Sequence, residues 1–205
     1  MTTINYDFLR SMEEEQVKTA ARLALVLILA AFPGWAQQDE IPKNIAESVG
    51  GALEHTQQRF LEVAEAMPAD KYSFIPTAGD FKDARSFGEQ VKHVACANFA
   101  FFNEIDGKTP PEGCERGGPS KAKTKAELLQ YLRESFEYSN KVLATINAQN
   151  ALDRVNGRYA APNTKLGVAV AAVWHVSDHY GQLVEYLRLN GIVPPSTQKY
   201  GLKVR

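Results

Sequence analysis

The chain has 205 residues, enough for one or at most two domains. It is 44% hydrophobic and 23% charged, with 23 basic and 24 acidic residues and a net charge of -1. These are ordinary globular values, and they argue against nucleic acid as the main partner, since phosphate binding calls for a basic surface. Two cysteines exclude a disulfide scaffold and a four-thiolate zinc ribbon, and with only four histidines their positions carry weight.

Leu23 to Phe32 reads LALVLILAAF, ten apolar residues in a row. A membrane-spanning helix needs about 18 or more, so no membrane span is predicted. Lys18 and Arg22 precede the run and Pro33-Gly34 follows it, as in a secretory signal peptide. Gly34-Trp35-Ala36 sets small residues two apart before a cleavage at Gln37. The competing reading is a buried helix of the folded domain. Glu13, Glu14 and Glu15 put negative charge where an export signal wants positive. Translation from Val17, read from a GTG codon, would remove that conflict and leave Val17–Ala36 as a compact signal. The expectation is therefore a signal segment over 1–36, a folded domain over 37–205, and export to the periplasm or beyond. Without Arg10, Lys18, Arg22, Asp7 and the three glutamates, the remaining chain carries 20 residues of each sign and is neutral.

Apolar residues recur at Ile41, Ile45, Val49, Leu53, Phe60, Val63, Ala64 and Met67, the three-and-four spacing of a helix with one buried face. Gly50-Gly51 could loosen its middle, and Pro68 ends it. A second helix starts at Ser86, with Glu89 at the capping-box spacing, and runs through Phe87, Val91, Val94, Ala95, Asn98, Phe101, Phe102 and Ile105 to Asp106-Gly107. Residues 107–122 hold four Gly and three Pro and read as a loop. Thr124, with Glu127, caps a third helix whose apolar face is Leu128, Leu132, Phe136, Val142, Leu143 and Ile146. Residues 150–163 are polar and turn-rich. The last helix carries Leu166, Val168, Val170, Val173, Trp174, Val176, Leu183, Val184, Tyr186 and Leu187, and Asn190-Gly191 closes it before Pro194-Pro195. Leu166–Val173 is β-branched enough for a strand, but period and length favour helix. The prediction is all-α, a four-helix bundle.

Three of the four histidines can converge. His175 and His179 are four apart on the last helix, about 40° apart round its axis, so both rings can reach one metal ion. His93 lies mid-way along the second helix among Val91, Val94 and Ala95 and faces the bundle interior, where bundle metal sites are built. The alternative for each is a hydrogen-bonded core histidine. His55, beside Leu53 and Thr56, reads as solvated or interfacial.

His175-Val-Ser-Asp-His179-Tyr-Gly181-Gln182 resembles the H-x-x-x-H-x-G-Q motif in the last helix of the DinB/YfiT-like superfamily. Met67-Pro68 through Pro76, followed by Ser86-Phe87-Gly88-Glu89-Gln90-Val91-Lys92-His93, resembles the other half of that signature, in which a W-x-P type segment leads to the first metal histidine. The resemblance covers nearly all of 41–195. The departure is Phe74-Ile75-Pro76, which bears on packing rather than on the metal site. The resemblance implies an up-down-down-up bundle with a divalent metal, zinc or nickel, on His93, His175 and His179. Three imidazoles leave a position for water or substrate. Some members of the superfamily are transferases or isomerases that use bacillithiol or mycothiol, and many have no established activity. Asp178 and Gln182 are candidates for hydrogen-bonding the metal imidazoles, or for plain solvated polar residues.

Cys96 sits one turn after His93, as a small core residue, a ligand or a nucleophile, and Cys114 lies in the Gly/Pro loop. In an exported protein the two can pair, because the loop can fold back along the helix. Lys121, Lys123 and Lys125 read as a solvated basic run. Two functions compete: metal-assisted transfer, isomerisation or hydrolysis of a small molecule, and a non-catalytic bundle that binds metal or forms a homodimer.

Overall fold

Among the described residues four long helices form the architecture. Helix α1 spans Ile45–Ala66, α2 Phe87–Ile105, α3 Lys125–Leu143 and α4 Lys165–Leu189, with a short α5 at Pro195–Lys199. The computed structural model describes residues 41–159 and 163–199. The expected signal segment over 1–36 and the Val17 start lie outside the described residues. From Pro42 onward the chain is one compact unit.

Each start follows from its cap. The Asn44 side chain accepts from Glu47 N at 2.9 Å to open α1. Ser86 with Glu89, and Thr124 with Glu127, form complete capping boxes at α2 and α3. Thr164 accepts from Gly167 N to open α4. Four sequence expectations need correction. Helix α1 starts at Ile45, after Ile41, and is continuous through Gly50-Gly51. Ile146 lies beyond α3, folded back into the core by a turn. A two-residue antiparallel pairing of β1 (Arg154–Val155) with β2 (Asn163–Thr164) occupies the turn-rich stretch. Lys125 is not merely solvated: its ammonium donates to the carbonyls of Glu65 and Met67 at 2.7 and 2.8 Å and so caps the end of α1.

The contacts fix the topology. Gly88 faces Leu128, and Asn103 accepts from Tyr138, so α2 and α3 run parallel. Leu53 packs in one cluster with Val168 and Ala172, while Lys71 reaches the Asn190 carbonyl, so α1 and α4 are parallel as well. Gln90 pairs with Gln182 and Phe101 with His175, making α2 and α4 antiparallel. Gly50 meets Leu143 and Phe60 meets Phe136, making α1 and α3 antiparallel. The order is up-down-down-up. Parallel neighbours cannot be joined by a tight turn, so the segment 106–124 must travel back along the bundle, roughly 28 Å for a 19-residue helix at 1.5 Å per residue.

Two apolar clusters fill the interior. One centres on Phe60, Phe87, Leu132 and Leu183, the other on Leu53, Phe102, Leu143 and Ala169. Buried Gln57, Asn98 and Ser139 lie between them along the helices. Val170 and Trp174 belong to neither cluster. They lie about 160° and 200° round α4 from buried Ala172 and are 52% and 68% exposed.

Candidate metal centre

Helices α2 and α4 bring the three histidines together. One ring nitrogen from each of His93, His175 and His179 lies within 4.8 Å of the others. His93 Nε2 is 3.1 Å from His175 Nε2, and the ring centroids are 4.6 to 5.0 Å apart. His93 and His179 are buried; His175 is partly exposed, with Phe101 edge-on against it.

His93 Nδ1 lies 2.7 Å from the Cys114 carbonyl oxygen. A carbonyl only accepts, so Nδ1 carries the proton and Nε2 keeps its lone pair. The proton of the 3.1 Å contact then belongs to His175 Nε2. The Nδ1 atoms of His175 and His179 are buried and have no hydrogen-bond partner among the described residues. Burial is the main force on all three rings and holds each below the ordinary histidine value. For His175 and His179 the value falls to about 3, with the neighbouring imidazoles and the Arg85 guanidinium adding to the effect. The cluster is neutral at pH 7, the form in which imidazole binds metal.

Cys114 is held in place by a disulfide to Cys96, one turn beyond His93 on α2. Cys96 is therefore neither a free thiolate ligand nor a nucleophile. The loop lies tightly on α2: Gly113, Gly117 and Gly118 have φ between 68° and 82°, and a Cβ at Gly118 would collide with Cys96 Sγ. Arg85 adds a second anchor, its Nε and Nη2 donating to the Glu115 carbonyl at 3.0 and 2.8 Å. Arg85 is itself positioned by Tyr186, whose hydroxyl donates to the Arg85 carbonyl while Phe74 packs edge-on against the Tyr186 ring.

Asp178 and Gln182 have other partners. Gln182 Nε2 donates to Asp178 at 2.9 Å, and Gln90 Nε2 donates to Gln182 Oε1 at 2.7 Å. This bond chain ties α4 to α2 beside the cluster. A cleft of about 400 Å³ opens there, lined by Arg85, Gln90, Gln182 and Tyr186 among others. A larger cavity, about 680 Å³, lies between the start of α1 and the end of α3, and no histidine lines either one. His55 is exposed on α1 and takes no part in the cluster. Sequence reasoning missed Gln90, Arg85 and the Cys114 carbonyl. Gln90 had a usable signal, one turn before His93 on the same face; the carbonyl had none.

The fold is similar to that of a conserved protein from Enterococcus faecalis, with a TM-score of 0.58 and 17% identity over 72% of this chain and 98% of that one. No curated protein matches the chain. The model of the DinB superfamily matches residues 52–183, which include all three histidines. This chain belongs to the DinB superfamily.

Proposed function

We propose that the chain holds one divalent cation, zinc or nickel, on His93, His175 and His179 and acts on a small molecule by metal-assisted transfer, isomerisation or hydrolysis. The observation that carries this reading is the convergence of three neutral, largely buried imidazoles from two helices on one point. The donor set fits. His93 Nε2 already offers a lone pair, and three ligands suit a catalytic rather than a closed structural site. A cation bound there would supply Lewis acidity and lower the pKa of a bound water or thiol. The chain's own part is to fix the His93 ring and to hold α2 and α4 in register through Gln90 and Gln182, which also line a cleft one turn from His93 and His179.

Export belongs to this proposal, and the Cys96–Cys114 disulfide supports it, since such bonds persist in oxidising compartments. Among the described residues no helix is long and apolar enough to cross a membrane. An exported site speaks against a cytosolic low-molecular-weight thiol as co-substrate. A second reading, a dimerising bundle, is favoured by exposed Val170 and Trp174 one turn apart on α4. Metal analysis of the purified chain beside a His175→Ala, His179→Ala variant tests the main reading. Stoichiometric zinc or nickel in the parent and its loss from the variant support it; equal metal in both rejects it.

A further inference from the structure

We propose that the Cys96–Cys114 disulfide is a redox-sensitive support for the metal ligand His93, so that reducing it weakens metal binding. The inference rests on the metal reading above. Three observations converge. Cys114 presents its carbonyl to His93 Nδ1 at 2.7 Å, the one backbone contact that sets the tautomer of this ring. The same residue is bonded covalently to Cys96, on the helix that carries His93. Gly113, Gly117 and Gly118 take left-handed conformations that press the loop onto α2, with Gly118 closing over Cys96 Sγ.

A loop carbonyl is a weak choice of partner unless something holds the loop. Gly113 and Gly117 flank Cys114 and Arg116, and glycines lose the most conformational freedom on ordering. The covalent link removes most of that freedom before any metal arrives. Its reduction takes two electrons and two protons from a dithiol, which leaves as its own disulfide, and yields the thiols of Cys96 and Cys114. The loop then keeps the Arg85 fork to Glu115 but loses the anchor at residue 114 itself. His93 Nδ1–H would exchange a fixed acceptor for a mobile one. Loss of such a partner typically weakens metal affinity about 10- to 100-fold.

The test uses the full chain, with zinc alone as probe in competition against a chromophoric chelator. Oxidised wild type, wild type reduced with a phosphine, and a Cys96→Ser, Cys114→Ser variant are compared, with helix content followed by circular dichroism. The His93 Nδ1–H resonance, assigned by its absence in His93→Ala, is recorded in parallel. The expected result is a Kd raised about 10- to 100-fold in the reduced and Cys-less forms at unchanged helix content, with the Nδ1–H signal broadened by exchange. A Kd within twofold of the oxidised form overturns the inference, as does a weaker Kd with the Nδ1–H signal intact. Loss of helix in both the reduced and Cys-less forms also overturns it, because the bond would then hold the fold rather than the ligand. If the oxidised wild type binds no zinc, it is the metal reading that fails.

Discussion

The two helices that build the histidine cluster hold their ligands in different ways. On the α2 side His93 is fixed from behind by a backbone carbonyl, and that carbonyl by a disulfide, three left-handed glycines and an arginine fork. On the α4 side the Nδ1 atoms of His175 and His179 have no partner among the described residues, and the rings are held by packing against one another and, at His175, by the contact with His93 Nε2 and by Phe101. One ligand is set by covalent and backbone geometry, while the other two come from a regular helix whose i, i+4 spacing alone aligns them. The lesson is that a three-histidine site can take one rigid reference ligand from a loop-braced helix and leave the remaining pair to adjust.

The largest expected effect comes from breaking the braced side. Gly118→Ala would force a Cβ into Cys96 Sγ at a φ of +68°, and a cost of roughly 1–3 kcal/mol for the strained backbone alone is expected, before the collision is counted. Denaturant unfolding of oxidised protein measures it; stability equal to wild type would show that the loop is not pressed onto α2 as described. Next, leucine at His93 and at His179 should separate the two sides. His93→Leu strands the buried Cys114 carbonyl and should cost about 1–3 kcal/mol in metal-free stability. His179→Leu removes a ring whose buried Nδ1 has no partner among the described residues and should cost less. Equal losses would erase the asymmetry.

On the α4 side Gly181 has open space where a Cβ would go and sits inside a helix, so Gly181→Ala should gain about 0.5–1 kcal/mol. A loss there would mean that α4 is constrained in a way its geometry does not reveal. A pH effect touches both sides. His175 and His179 titrate near 3 when folded and near 6.5 when unfolded, so below 6.5 the unfolded chain binds more protons. Metal-free stability should hold above pH 6.5 and fall as the pH drops from there toward 3. His175→Leu, His179→Leu should flatten that fall, which unfolding curves at several pH values would show.

Much of this was legible in the residues, for physical reasons. Ser86 with Glu89 and Thr124 with Glu127 announce helix starts because the capping box needs those side chains at that spacing. The histidines declare themselves because i, i+4 is one turn of one face. The acceptor for His93 could not be read, since a main-chain carbonyl has no residue type, and only the fold of the crossover shows that Cys114 presents it. Asp178 and Gln182 have suitable chemistry, but the rotation of α4 joins them to each other and to Gln90. The exposure of Val170 and Trp174 was not legible, because α4 is apolar on more than one face and periodicity alone does not say which face is covered. The β1–β2 pairing is two residues long on each side, too short for alternation to signal.

Anomalous diffraction from crystals of the oxidised chain grown with zinc tests the central claim most directly. The account predicts a peak about 2.0–2.1 Å from a ring nitrogen of each of His93, His175 and His179, with His93 bound through Nε2. No peak at the cluster, or a peak held by other residues while these three keep their present contacts, would contradict it.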